Sequence, residues 1–172
     1  DYLDSILNCY DSMDKALEYQ RKYSDKRYVY ITYEDLVDKP RDTLDKVCAT
    51  LNIEFDENML DVSTFTDLHG KAWEANTAHG DKMSGISSAV VDKWKTDLET
   101  WEIALNDAVF GDLLDRFNYE SVDMDDKSEL FEKAICEVQK SGLATDGLLR
   151  FLLTRNAFER YPADPTDKKN WT

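Results

Sequence analysis

The sequence predicts an α/β fold that is mostly helical and contains one core strand. Apolar residues recur every three or four positions along much of the chain, which is the period of a helix with one buried face. One short run, residues 28–33, is instead dense in β-branched and aromatic side chains and has the length of a strand. A chain of 172 residues can hold one ordinary domain, or one domain and a tail.

The first part of the chain is predicted to form helix, strand, helical turn and helix. The first amphipathic helix covers residues 3–23, the strand follows at 28–33, and a helical turn occupies 34–37. Pro40 suits the first turn of the next helix, which should end near Asn52. The apolar positions of that helix share one face and are Leu44, Val47, Cys48 and Leu51.

The rest of the chain is predicted to be a long loop followed by helices. Residues 53–88 lose the helical period, and so long a segment is either poorly ordered or a binding loop. A polar linker is expected at 123–127 and an extended tail at 161–172. The helices predicted after the loop span approximately 88–98, 100–117, 130–140 and 148–158.

The charge of the chain argues against nucleic acid as a partner. It has 21 Lys and Arg residues against 36 Asp and Glu residues, and its net charge is -15. A surface this acidic repels phosphate backbones, although a local basic pocket for a small anion remains compatible with it. The sequence also lacks an apolar run long enough to span a membrane, so an acidic, soluble protein is expected.

Cysteine and histidine usage predicts no metal site. Cys9, Cys48 and Cys136 are too far apart for a CxxC pair, and His69 and His79 match no metal-binding pattern. Unpaired thiols favour a reducing compartment, so the cytoplasm is the expected location and the lumen of the secretory pathway the alternative.

A family resemblance rests on the order of several motifs. Tyr33-Glu34-Asp35-Leu36 ends the predicted strand, and the helix begun by Pro40 closes with Thr50-Leu51-Asn52-Ile53. Asp92-Lys93-Trp94-Lys95 then precedes a helix that ends at Phe117-Asn118-Tyr119. This order is similar to that of the sulfotransferases, in which a Tyr-Glu-Asp-Leu strand end leads to a helix that starts with proline, and the similarity covers roughly residues 8–120.

The resemblance implies a division of the chain and a fold. Residues 1–120 would be the C-terminal portion of a sulfotransferase domain, which has a three-layer, P-loop-like fold. Residues 121–172 would be a helical C-terminal extension and tail. The segments of the family that hold the 5′-phosphosulfate and supply the catalytic Lys and His have no counterpart in the sequence. The chain would therefore be incomplete and inactive alone, its catalytic residues unknown, and its main partner the missing N-terminal portion of the same protein.

The resemblance also implies a reaction and a set of site residues. The reaction is transfer of a sulfuryl group from 3′-phosphoadenosine 5′-phosphosulfate to a hydroxyl or amine on a small-molecule, glycan or peptide acceptor, without a metal. Tyr33 would lie beside the adenine, and so would the segment of Thr64 and Phe65. Lys82, Ser84 and Gly85 would bind phosphate.

Residue chemistry is compatible with these roles but leaves plainer ones open. Residues 82–88 combine an ammonium group, hydroxyls and glycine-freed amides just before a predicted helix, as an anion site requires. A tyrosine at the carboxyl end of a strand suits a purine. Tyr33 could equally close the edge of a core, and Lys82, Ser84 and Gly85 could form a surface turn.

A rival hypothesis is a non-enzymatic helical interaction module on a sulfotransferase-like scaffold. In it, residues 124–160 bind a partner helix or a neighbouring domain. Their apolar side chains must pack on something, and they are Phe131, Ile135, Val138, Leu149, Leu152 and Leu153.

Overall fold

The structure is a computed structural model, and it describes residues 2–23, 28–72, 85–121, 127–140, 145–155 and 161–171. Their α-helices are α1 (Tyr2–Lys22), α2 (Tyr33–Asp38), α3 (Pro40–Leu51), α4 (Trp94–Asp97), α5 (Thr100–Phe110), α6 (Asp112–Arg116), α7 (Lys127–Lys140) and α8 (Thr145–Thr154). Short 3₁₀-helices cover Glu57–Leu60, Val62–Thr64 and Lys168–Trp171. The chain divides into two compact units: a helical unit, Asp1–Lys22 with Lys95–Thr172, and a loop-rich unit, Tyr23–Trp94.

The core of the helical unit is built from one face of each of its main helices. Leu105 and Val109 of α5 are completely buried, and Tyr10 of α1 meets Phe151 of α8 edge to face with ring centroids 4.6 Å apart. The other buried members of this cluster are Leu3, Ile6, Leu7, Phe110, Leu113, Ala134, Val138 and Leu148. The helices predicted in these regions are confirmed, because their apolar positions recur at the helical period and meet one another.

Gly111 divides the predicted helix 100–117 into α5 and α6. Its φ of 47° lies in the left-handed region that favours glycine. Arg155, just after α8, donates from Nη1 to the carbonyl oxygens of Ala108 and Val109 at 3.1 and 3.0 Å. The last turn of α5, whose carbonyls have few partners within their own helix, is therefore capped by a side chain from a distant part of the chain.

The apolar faces of α7 and α8 are largely covered by the chain itself. Val138 is buried, and Phe131, Ile135 and Leu152 pack against the same core. Leu149 and Leu153 remain exposed. Most of the surface that led to the rival hypothesis of a partner-binding module is thus accounted for inside the helical unit.

The C-terminal tail is more ordered than the predicted extended segment. Tyr161 and Ser12 of α1 join their hydroxyls at 2.5 Å, and Lys22 donates to the carbonyl oxygen of Ala163 at 2.9 Å. Tyr19 also donates to the carbonyl oxygen of Pro162. Residues 161–163 therefore lie along α1, and the chain then turns into the 3₁₀-helix Lys168–Trp171.

The structure corrects the prediction of a core strand at residues 28–33. Residues 28–32 belong to no strand, and the helix α2 begins at Tyr33, capped by Thr32, whose Oγ1 accepts from the amide of Asp35 at 3.1 Å. A strand needs a neighbour that completes its hydrogen bonds, and the described ranges contain no strand, only an isolated bridge between Thr66 and Ala72. The chain is mostly helical as predicted, but its described part has no β layer.

Several other element boundaries and one buried face differ from the prediction. Helix α3 ends at Leu51 as expected, with Asn52 at a φ of 55°. On the predicted face only Cys48 is buried, and Leu51 is 62% exposed. The helix predicted at 88–98 is reduced to turns followed by the four residues of α4. The last helix ends at Thr154, before the predicted end at 158, and Arg155 after it has a φ of 53°. The predicted linker 123–127 lies almost entirely outside the described residues.

Candidate nucleotide site

Tyr33 occupies the first position of α2 and presents a half-exposed ring. Its side chain is 46% exposed, and its hydroxyl donates to the carbonyl oxygen of Ser87 at 3.2 Å. Thr32 holds the start of the helix, and Thr43 of α3 donates to the carbonyl oxygen of Asp35 at 2.9 Å, so α2 is fixed to α3. The tyrosine of the Tyr-Glu-Asp-Leu motif thus stands on a fixed helix and touches the far end of the predicted binding loop.

The described end of that loop begins at Gly85. Among the residues that the structure describes, and apart from the chain neighbours, no atom lies within 4 Å of a Cβ built on Gly85. Ser87 Oγ accepts from the amide of Ala89 at 3.2 Å, and a series of turns then leads to α4. The other two predicted phosphate ligands, Lys82 and Ser84, lie outside the described residues.

Thr64 and Phe65 lie at the end of the 3₁₀-helix Val62–Thr64. The Thr64 hydroxyl donates to the carbonyl oxygen of Asp61 at 2.7 Å, and Phe65 is 39% exposed. Asp61 caps this helix by accepting from the amide of Ser63 at 3.0 Å and from its hydroxyl at 2.6 Å. These bonds stabilise the carboxylate, and they lower the pKa of Asp61 below its usual value. The hydroxyl of Thr64 is thereby engaged locally, whereas Phe65 is partly exposed.

The segment that carries Phe65 is attached to α3. Cys48 is buried and approaches Met59 with a sulfur–sulfur distance of 3.7 Å. Arg41 pairs with Glu57 and lies over the ring of Phe55 at 4.9 Å, and the hydrogen bond to Glu57 raises the pKa of the guanidinium. Both candidate adenine contacts are therefore anchored to α3: Tyr33 through α2, and Phe65 through the segment that precedes it.

Sequence reasoning missed two features of this unit. The acceptor of the Tyr33 hydrogen bond is a backbone carbonyl, which has no residue-type signal. The turn at 66–72 does have one, because Asp67 and Gly70 are typical turn residues. Asp67 accepts from the amides of His69 and Lys71 at 2.8 and 2.9 Å, and Gly70 has a φ of 76°. His69 is exposed in this turn.

The described residues offer stacking surfaces more than catalytic groups. Tyr33 and Phe65 each expose part of an aromatic ring, as a site for a purine needs. In the parts of the chain that the structure describes, no three His, Cys, Asp or Glu side chains are placed to hold a metal ion. None of the described helices combines the length and apolar character needed to cross a bilayer.

Comparison with known families identifies the class of protein. The family described as "Sulfotransferase domain" matches residues 1–118. The match covers more than half of the chain, so the chain belongs to this family, whose members are enzymes that transfer sulfuryl groups. Comparison with curated proteins and with solved structures returned no match. The matched range includes α1 to α6 and every candidate site residue, and α7 and α8 lie beyond it.

Proposed function

We propose that the chain is the C-terminal part of a sulfotransferase that uses 3′-phosphoadenosine 5′-phosphosulfate, and that it supplies the adenine side of the donor site. The observation that carries the proposal is the half-exposed ring of Tyr33, held at the start of α2 within the motif shared with the family. The chain would act together with an N-terminal portion that provides the phosphosulfate contacts.

The residues divide into two sets by chemistry. Tyr33 and Phe65 stack against the purine, with Thr64 beside it, because half-exposed aromatic rings bind base faces without needing a charged partner. Lys82, Ser84 and Gly85 bind phosphate through an ammonium group, a hydroxyl and backbone amides. Since the net charge is -15, phosphate binding depends on such a local cluster rather than on the field of the whole chain.

The reaction moves one sulfuryl group. The bond between sulfur and the bridging oxygen of the phosphosulfate breaks, and a bond forms between sulfur and the acceptor oxygen or nitrogen. The acceptor proton passes to a base, and adenosine 3′,5′-bisphosphate leaves. Holding the donor by its nucleotide fixes the sulfuryl group for in-line attack, so the contribution of this chain is positioning. The acceptor is a hydroxyl or amine on a small molecule, glycan or peptide.

The thiols favour the cytoplasm as the location. Cys9, Cys48 and Cys136 are all free. A reducing compartment keeps such thiols unpaired, whereas an oxidising secretory lumen favours disulfides. Fractionation of cells with an antibody to the chain tests this assignment, and recovery in the lumen of secretory vesicles would contradict it.

Calorimetric titration with adenosine 3′,5′-bisphosphate tests the proposed function. The intact protein, in which this chain acts with its N-terminal portion, should bind the nucleotide, and Tyr33→Ala should weaken binding about 5- to 150-fold, the range of about 1–3 kcal/mol measured for aromatic stacking on a base. Leu68→Ala is the matched control, because Leu68 is fully exposed in the same unit and should leave affinity unchanged. Absence of binding at millimolar nucleotide would overturn the proposal.

A further inference from the structure

We propose that the hydroxyl of Tyr33 is a positioning group that fixes the 85–88 segment against the ring that stacks on the purine. The proposal rests on the proposed function for the ligand, but the contact itself involves only two residues of this chain. The hydroxyl and the Ser87 carbonyl oxygen are 3.2 Å apart and are separated by 54 positions in the sequence. One side chain thereby joins the start of α2 to the described end of the predicted binding loop.

The geometry lets one tyrosine do both tasks. A phenol has a single hydrogen, which Tyr33 donates from the rim of its ring to Ser87. Base stacking uses the face of the ring, and the side chain is 46% exposed despite the hydrogen bond. Stacking and anchoring therefore use different parts of the same side chain.

The hydrogen bond from Tyr33 holds the backbone at Ser87, close to the described end of the predicted binding loop. Ser87 follows Gly85 by two residues, and its Oγ accepts from the amide of Ala89 at 3.2 Å. The next carbonyl oxygen, that of Ser88, accepts from Val91 at 3.0 Å. Holding the Ser87 carbonyl thus fixes the first residue of a series of turns, and it limits the positions open to Gly85.

The other end of the contact is rigid. The amide of Leu36 donates to the carbonyl oxygen of Thr32 at 3.2 Å, and the amide of Lys39 donates to that of Asp35 at 2.9 Å. The carbonyl oxygen of Asp35 also accepts a hydrogen bond from the hydroxyl of Thr43, a buried residue of α3. A loop fixed to such a support loses fewer conformations when a ligand binds, so affinity for the group that the loop contacts increases.

Hydrogen exchange without ligand tests the anchor directly. Tyr33→Phe keeps the ring and removes the hydroxyl, so the amides of Ala89 and Val91 should exchange about two- to tenfold faster, the effect of losing one hydrogen bond. Tyr119→Phe is the matched control in the other unit and should leave these rates unchanged. Unchanged exchange in Tyr33→Phe would overturn the proposal.

Titration with two nucleotides tests what the anchor does. Tyr33→Phe should weaken binding of adenosine 3′,5′-bisphosphate about two- to tenfold while leaving adenosine 5′-monophosphate unaffected, because the loop is proposed to act on the additional phosphate. Tyr33→Ala should weaken both nucleotides. Equal weakening of both by Tyr33→Phe would overturn the positioning role, since the hydroxyl would then serve the shared part of the ligand. If neither the unaltered protein nor any variant binds either nucleotide, the proposed function fails. The exchange rates then still show whether the Tyr33 hydroxyl holds the 85–88 segment.

Discussion

The two units bury their apolar side chains in opposite ways. The helical unit contains nearly all of the buried apolar residues among the described positions, whereas Tyr23 and Cys48 are those of the loop-rich unit. Most of the large exposed apolar residues in the described ranges belong to the loop-rich unit, and Leu149 and Leu153 are those of the helical unit. Those of the loop-rich unit are Ile31, Tyr33, Leu51, Ile53, Phe65, Leu68 and Trp94. The helical unit buries its apolar side chains in a core, whereas the loop-rich unit leaves much of its apolar surface exposed.

Local hydrogen bonds take the place of a core in the loop-rich unit. Asp56, Asp61 and Asp67 each accept amides from residues two or more positions ahead and close successive turns. Such bonds order a short segment without burying it. The contrast teaches that in this chain structural stability and candidate ligand contacts are assigned to different residues, so substitutions should separate them.

The largest separation is expected from a pair of leucine substitutions. Leu105→Ala removes a completely buried side chain from the helical core, and the free energy of unfolding should fall by about 2–5 kcal/mol. Leu51→Ala removes a side chain that is 62% exposed, and its effect should stay within about 0.5 kcal/mol. Urea denaturation followed by circular dichroism measures both, and a comparable loss in the two variants would contradict the contrast.

The same contrast explains how much of the fold could be predicted. The pattern of α1 predicted its helix because the partners of Leu3, Ile6 and Tyr10 lie in the same chain. The run at 28–33 predicted a strand because its residues suit a sheet, but strand pairing depends on a neighbour, and the described residues contain none. Residue preference alone carries no record of which neighbours are present.

The candidate site was predictable to a similar extent. Tyr33 was identified through its motif, and the structure shows it half exposed at the start of a helix. Its contact with Ser87 could not be predicted, because the acceptor is a carbonyl group that every residue possesses. The exposure of Leu51 was missed for another reason, since periodicity predicts a shared face and not where the covering side chains end.

A smaller effect is expected at the polar cap of the helical core. Arg155→Gln removes the guanidinium that donates to the carbonyl oxygens of Ala108 and Val109, and unfolding should become easier by about 1 kcal/mol, since the contact is partly exposed. Arg150→Gln is a matched control on the preceding turn, where the side chain is exposed. Thermal unfolding of the two variants measures the difference, and equal melting temperatures would show that the cap contributes nothing.

The attachment of the tail to α1 should contribute a similar or slightly smaller amount. Ser12 donates to the carbonyl oxygen of Asn8 at 2.8 Å, so its oxygen accepts from Tyr161 at 2.5 Å. Tyr161→Phe should cost about 0.5–1.5 kcal/mol, and Ser12→Ala should remove the same bond. A double-mutant cycle measures the coupling: the double variant should lose less than the sum of the single losses, and strict additivity would mean that the two hydroxyls do not interact.

The smallest expected effect is a local response of the loop-rich unit to acid. The hydroxyl and amide of Ser63 lower the pKa of Asp61 in the folded chain, so the ionised carboxylate stabilises the turn at high pH. That contribution is complete at a pH well above 3.8, the ordinary pKa of the carboxyl. It diminishes as the pH falls below that value and is absent below the lowered folded pKa.

Amide exchange at Ser63 should therefore accelerate between pH 5 and strongly acidic solution, after correction for the intrinsic pH dependence of exchange. Asp61→Asn should abolish this response without changing the melting temperature of the helical unit, because the carboxylate is exposed and its hydrogen bonds are local to its own turn. A lower melting temperature of the helical unit in the Asp61→Asn variant would show that the stability of the helical unit depends on this turn.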